Sequence, residues 1–117
     1  MGTLRTRESQ DIYNKVIQAG LMADGCPLCK QISIKEFFLW RIIPNMYPYD
    51  AIAKTHHMLL PKRHATYDEL TIEEKEEFES IKREYVHDKY EFLIEASHKK
   101  KSIPEHWHLH LIIAKDQ

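Results

Sequence analysis

The segment His106-Trp107-His108-Leu109-His110-Leu111-Ile112 carries three imidazoles at i, i+2 and i+4, with apolar residues between and after them. Successive side chains of a strand point to opposite faces. This spacing therefore sends the three histidines to one face and Trp107, Leu109 and Leu111 to the other. A strand over residues 107–113 is expected. A face of that kind differs from an ordinary core face. Imidazole, with an unperturbed pKa of ~6.5, exchanges protons near neutrality and is also a nucleophile and a metal ligand. Proton relay, covalent catalysis and metal binding are the chemistries it suits. The plain alternative is three solvated histidines on an outer sheet face, with Trp107, Leu109 and Leu111 packed inward.

Upstream of this segment, residues 90–96 read as another strand, followed by the polar loop 97–105. Thr71-Ile72-Glu73-Glu74 follows the capping-box pattern and predicts a helix start. Phe78, Ile81, Tyr85 and Val86 then form an apolar stripe suited to lie on a sheet. The acidic run 73–79 reads as the solvated face of that helix, where negative charge near the N-terminus is favoured. Residues 57–60, closed by Pro61, and 34–43, closed by Pro44, read as strands on either side of a turn at 45–50. Over residues 9–22, Ile12, Tyr13, Val16, Ile17 and Met22 recur at helical spacing, and Gly25 follows as a stop. The order helix, strands, helix, strands predicts an α+β domain: an antiparallel sheet of about five strands with two helices.

The 117 residues suit a single domain, and 43% hydrophobic against 30% charged residues, with 3 Gly and 5 Pro, excludes collagen-like or disordered character. The net charge of −1 and a pI near 6.7 argue against nucleic acid or an anionic membrane as partner, so any phosphate binding has to be local. The one basic cluster is Lys99-Lys100-Lys101. No apolar run approaches the ~20 residues that cross a bilayer, and residues 1–9 are polar where a signal peptide is apolar. A cytoplasmic location is the expectation.

Cys26-Pro27-Leu28-Cys29 is spaced for a metal knuckle or a redox couple. Zinc takes four tetrahedral ligands from Cys and His, so Cys26 and Cys29 supply two and histidines elsewhere must supply two more. Spacing alone does not select them among eight histidines. A thioredoxin-like pair or two free thiols is the competing reading, although no βαβ pattern precedes the motif.

With these motifs in view, the chain resembles the histidine triad superfamily over roughly three quarters of its length. His106 to Ile112 meets the H-φ-H-φ-H-φ-φ signature in full. Asn45-Met46-Tyr47-Pro48-Tyr49 resembles the N-x-Y-P-Y segment of some branches, and His56-His57-Met58-Leu59-Leu60-Pro61-Lys62-Arg63-His64 resembles the H-x-L-V-I-P-K-x-H segment.

The resemblance implies a fold that binds nucleotides and a nucleotidyl hydrolase or transferase acting on a purine nucleotide conjugate. In that scheme His108 attacks the α-phosphorus and forms a covalent nucleotidyl-histidine, which water or another acceptor resolves. His110 and His56 match histidines that orient the nucleophile and contact phosphate oxygens, and Asn45 matches a residue facing the ribose. Cys26, Cys29, His64 and His106 match the Zn2+ ligands of zinc-binding relatives. A homodimer is implied too, and the aromatic residues Phe37, Phe38 and Trp40 exceed what one strand's inner face needs. His57 has no counterpart, and alternation turns it away from His56.

The chain departs from the family pattern in the loop before the triad, which has no glycine. Ser102 stands four positions before His106, and Lys101 with its two lysine neighbours is the source of positive charge for phosphate there. Residues 50–55 are extra relative to a short turn. Without a glycine loop to cradle phosphate, the competing function is a zinc-stabilised nucleotide-binding module that performs no turnover.

Overall fold

The computed structural model describes residues 3–19, 26–97 and 106–116. It shows an α+β architecture: a five-stranded antiparallel sheet with two helices. The helix α1 spans Arg7–Gln18. The strands are β1 (Lys35–Glu36), β2 (Trp40–Pro44), β3 (Ala53–Pro61), β4 (Phe92–Ile94) and β5 (Leu109–Ala114), in the spatial order β1-β2-β3-β5-β4. A 3₁₀ turn at Tyr67–Glu69 precedes α2 (Ile72–Ile81), which runs on through a π-helical turn, Lys82–Val86, into α3 (His87–Lys89). Ile81, Lys82, Val86 and His87 all keep right-handed helical dihedrals, so α2, the π turn and α3 form one continuous helix.

The expected strand over 34–43 is corrected to a hairpin. Lys35 pairs with Ile42 and Glu36 with Arg41, while residues 37–39 make the turn. Apolar density carried no trace of that turn because it contains neither Gly nor Pro. Glu77 holds it instead, its two carboxylate oxygens accepting the Phe38 and Leu39 amides at 3.0 and 2.7 Å. The four-residue strand expected at 57–60 is the end of a nine-residue one, and three of the supposed extra residues 50–55 belong to it. β5 starts two residues later than expected, and β4 is three residues long.

The sheet has two different faces. On the helical side, Trp40, Ile42, Leu59, Leu109, Leu111 and Trp107 pack against Phe78, Ile81 and Val86. Trp40 stacks on Phe78 at 5.0 Å and meets Trp107 edge-on at 5.9 Å, while its indole N–H donates to the Glu74 carbonyl at 2.8 Å. On the other side Ile43, Met58 and Leu60 form a smaller cluster closed by Leu28. Arg41 fixes the segment that carries Leu28, donating to the carbonyls of Leu28 and Gln31, each at 2.6 Å.

Two further expectations change. The acidic run is not wholly solvated: Glu74 is buried, accepting from Arg63 and from the Thr71 amide, each at 2.8 Å. These partners hold its carboxyl below the usual range, the Arg63 hydrogen bond most of all. The stripe on α1 does not enter the core either. Of its residues Tyr13 is buried, while Ile12 and Ile17 are about half exposed. Met22 and Gly25 lie outside the described residues, as does loop 98–105.

The aromatic surplus assigned to an interface is largely used within the chain: Trp40 is in the core, and Phe37 packs edge-on against Tyr85 at 5.4 Å, leaving Phe38 exposed. Among the described residues no helix is long and apolar enough to cross a membrane. Because Trp40 joins both strand and helix partners, Trp40→Ala is expected to cost about 3–5 kcal/mol, read as a fall in urea midpoint at unchanged slope. A loss below ~1 kcal/mol would contradict this account of the core.

Candidate functional site

The β3–β5 register brings the sequence-singled histidines together. Met58 faces His110 across the ladder, and His56 stands two residues earlier on the same face of β3. His56, His106, His108 and His110 are all buried, which overturns the alternative of a solvated outer face. His57, on the opposite face, hydrogen bonds Tyr90 Oη through Nδ1 at 2.7 Å, a satisfied structural position as alternation suggested.

The turn between β2 and β3 sets the hydrogens of this cluster. Asn45 Oδ1 accepts from the Tyr47 amide at 2.8 Å, an Asx-type closure that fixes the side-chain amide. The Tyr49 amide donates to His56 Nδ1 at 2.9 Å. An accepting Nδ1 carries no hydrogen, so neutral His56 is protonated on Nε2. That atom lies 2.7 Å from His110 Nδ1, and His110 Nε2 lies 3.2 Å from Tyr49 Oη. Asn45 Nδ2 is 3.3 Å from His56 Nε2 and 3.6 Å from Met58 Sδ. Thus the ring nitrogens of His56 and His110 meet each other, an arrangement that matching them to phosphate-contacting histidines did not include.

Burial is the main force on both imidazoles. It pushes His56 down to about 3 and His110 to about 2, with the Arg5 guanidinium and neighbouring histidines acting in the same direction. Tyr49 is moved the other way, its phenol raised chiefly by burial.

The ring of His108 sits edge-on to His110 at 5.1 Å between centroids. Its Nδ1 lies 2.9 Å from the His106 carbonyl. A carbonyl only accepts, so Nδ1 holds the hydrogen and the lone pair of neutral His108 is on Nε2, the arrangement a nucleophilic imidazole requires.

A second cluster lies at the approach to β5, beside the end of β3. One ligand atom from each of Cys26, Cys29, His64 and His106 falls within 4.8 Å of the others, close enough to bind one metal ion. His106 Nε2 donates to the Pro61 carbonyl at 3.0 Å, which leaves the Nδ1 lone pair facing Cys26 Sγ and Cys29 Sγ at 3.5 and 3.4 Å. Such a carbonyl partner orients metal-bound imidazoles. His64 Nδ1 is 3.4 Å from Cys29 Sγ. Desolvation and the neighbouring Cys26 raise Cys29 above its ordinary value, with Arg41 acting against them, and a cation between the sulfurs would favour the thiolates.

Lys101 and Ser102, expected to contact phosphate, lie outside the described residues. Two residues near the histidines escaped the sequence reading. Arg5 donates through Nε to the Tyr47 carbonyl at 2.8 Å and stacks on Tyr13 and Tyr49, with Cζ 4.0 and 5.1 Å from their ring centres. Tyr49 closes the network just described. Arg5 had no local signal, being 42 residues from its carbonyl partner, whereas Tyr49 stood in plain view as the last residue of N-x-Y-P-Y. Asp50 accepts from the Thr6 amide at 2.8 Å and from the Ser9 hydroxyl, which docks α1 beside the turn.

Compared with family models, with curated proteins and with solved structures, the chain finds no match in any of the three.

The two buried imidazoles make stability depend on acid. Unfolded histidines titrate near ~6.5, while His56 stays neutral to about 3 and His110 to about 2. Between those limits the unfolded chain binds more protons, so stability falls as pH drops below ~6.5, by about 1.4 kcal/mol per pH unit for each histidine. The double variant His56→Gln, His110→Gln is expected to show a shallower fall in urea midpoint from pH 7 to 5 than the parent. Parallel profiles would show that these histidines are not the acid-sensitive groups.

Proposed function

We propose that this protein is a nucleotidyl hydrolase or transferase that works through a covalent intermediate on His108, with Zn2+ as its structural metal. The observation that carries this reading is the hydrogen bond from His108 Nδ1 to the His106 carbonyl, which assigns the lone pair of neutral His108 to Nε2, on a buried histidine face. In the proposed step Nε2 attacks the α-phosphorus of a purine nucleotide conjugate. The N–P bond forms as the bond from phosphorus to the leaving group breaks. Water or another acceptor then displaces the histidine from phosphorus. Neutral His56 and His110 line the site without bringing charge of their own, and Asn45 stands beside them to meet the nucleoside.

Zinc is the metal this donor set favours. Bonds of ~2.3 Å to sulfur and ~2.0 Å to nitrogen in a tetrahedron separate neighbouring S and N atoms by ~3.5 Å, and three of the four S···N distances are 3.4–3.5 Å. Two thiolates and two neutral imidazoles balance its charge. When bound, the ion supplies rigidity, joining the Cys26 segment, the end of β3 and the approach to β5. His106 would link the ion to His108, since its ring belongs to the candidate metal cluster and its carbonyl orients His108. Among the described residues, His106 alone of the three triad histidines belongs to that cluster, which disfavours a purely metal-binding role for the row.

A second reading, a zinc-stabilised nucleotide-binding module without turnover, draws support from the pairing of His56 with His110, because each uses on the other a nitrogen that would serve phosphate. We further infer a homodimer with a complete triad in each protomer, acting in the cytoplasm. Light scattering of a monomer at micromolar concentration would count against the dimer.

Intact-mass measurement after exposure to a panel of nucleotide conjugates is expected to show a gain of one nucleoside monophosphate. His108→Asn should abolish that adduct and cost orders of magnitude in rate, yet leave zinc content and nucleotide binding near normal. Turnover within about tenfold of the parent, only ~1.4 kcal/mol, would rule out His108 as nucleophile and favour the module.

Metal analysis should find one zinc per chain, and chelation should lower the melting temperature. Cys26→Ser is expected to reduce stability more than activity per folded molecule. A metal-free protein whose melting ignores chelator would rule out the zinc assignment.

A further inference from the structure

The hydrogen-bond directions around Tyr49 close into a ring with one donor left over. The Tyr49 amide donates to His56 Nδ1 at 2.9 Å, which places the hydrogen of His56 on Nε2. His110 Nδ1, 2.7 Å away, receives it. Asn45 Nδ2, 3.3 Å from His56 Nε2, is also a donor, since its amide oxygen is committed to the Tyr47 amide; it does not receive the His56 hydrogen, and its own hydrogen has an acceptor in Met58 Sδ at 3.6 Å. With Nδ1 accepting, neutral His110 is protonated on Nε2 and donates to Tyr49 Oη at 3.2 Å.

Residue 49 thus begins the ring with its backbone and ends it with its phenol. The phenol oxygen accepts there, so its own hydrogen must go elsewhere. Among the described residues His110 is the hydroxyl's one hydrogen-bond partner. The reverse direction fails, because a hydrogen on His56 Nδ1 would oppose the Tyr49 amide.

Beside this donor stands a fixed cation. The Arg5 guanidinium lies 5.1 Å from the Tyr49 ring centre and 4.0 Å from that of Tyr13. Its Nε and Nη1 are held by the Tyr47 carbonyl at 2.8 Å and Gln10 Oε1 at 3.2 Å. No carboxylate among the described residues forms an ion pair with it. A buried neutral pair of histidines, an outgoing O–H and an unneutralised guanidinium together favour an anionic oxygen and disfavour a cation.

We propose that the Tyr49 hydroxyl, with the Arg5 guanidinium behind it, forms an anion subsite of the histidine face that receives a phosphoryl oxygen. The choice of phosphate as the anion rests on the nucleotide reading above; the donor and the cation do not. In this arrangement His56 and His110 act through Tyr49: they set the direction of its hydrogen, and the hydroxyl makes the contact.

Two measurements on the full chain test this. In spectra of ¹⁵N-histidine-labelled protein, His56 and His110 should both be protonated on Nε2 and bare on Nδ1, and His110 protonated on Nδ1 would overturn the ring. In titrations with inorganic phosphate and with a nucleoside monophosphate, Tyr49→Phe should weaken binding about tenfold or more, the usual scale for a hydrogen bond to a charged group. Arg5→Gln should act in the same direction.

Urea midpoints of the two variants separate lost contact from lost fold, and Arg5→Lys, which keeps the charge, should recover part of the binding. A loss seen with both titrants assigns the subsite to phosphate as such, and a loss with the nucleotide alone assigns it to phosphate presented on a nucleoside. Affinity unchanged within twofold in folded Tyr49→Phe, or a parent that binds neither titrant, overturns the proposal. If Tyr49→Phe loses phosphate while no conjugate ever labels His108, the subsite stands and the nucleotidyl-transfer reading falls.

Discussion

The antiparallel pairing of β3 with β5, with Met58 opposite His110 and His56 opposite Ile112, is the constraint on which the site depends. Side-chain direction in a strand has a period of two, so a slip of one residue would exchange every inward and outward position. The register is held from both sides. Leu59, Leu109 and Leu111 are buried beneath the helix, while Met58 packs with Ile43 and Leu60 on the other face. A strand buried on both faces has no cheap alternative pairing, and His56 meets His110 because of it.

Burying four histidines on one side of a small sheet is costly unless each ring nitrogen has a task. The structure meets that condition largely with backbone groups: the His106 carbonyl for His108, the Pro61 carbonyl for His106 and the Tyr49 amide for His56. Backbone partners cannot exchange donor for acceptor. They therefore fix tautomers more firmly than side chains would, and a neutral tautomer is what both a metal ligand and a nucleophile need. His106 joins the two halves of the site, since its ring faces the cysteines and its carbonyl holds the next histidine of the row.

Where the chain had a simple period or a cap, its sequence was readable. The capping box at Thr71 and Glu74 marked the start of α2, the stripe from Phe78 to Val86 marked its buried side, and the alternation after His106 sorted histidines from core residues. Reading failed where a tertiary partner replaced the local signal. Glu77 makes a turn at 37–39 that has no turn residue, and Arg63 draws Glu74 out of an apparently solvated acidic run. α1 looked amphipathic, yet it docks mainly through Tyr13, Thr6 and Ser9 on a turn some forty residues away.

By itself the sequence determined the α+β class, the common face of the three histidines and a cysteine pair spaced for a metal or a redox couple, because strand alternation and short motif spacing are local properties. Only the tertiary structure brought His64 and His106, which the family resemblance had named, within reach of the two cysteines, and decided that His56 and His110 face each other and that Tyr49 and Arg5 stand beside them. Those relations join residues 35 to 80 positions apart for the metal cluster and 54 for the histidine pair. They follow from strand register and from the directions of single hydrogens, and neither leaves a periodic mark in the chain.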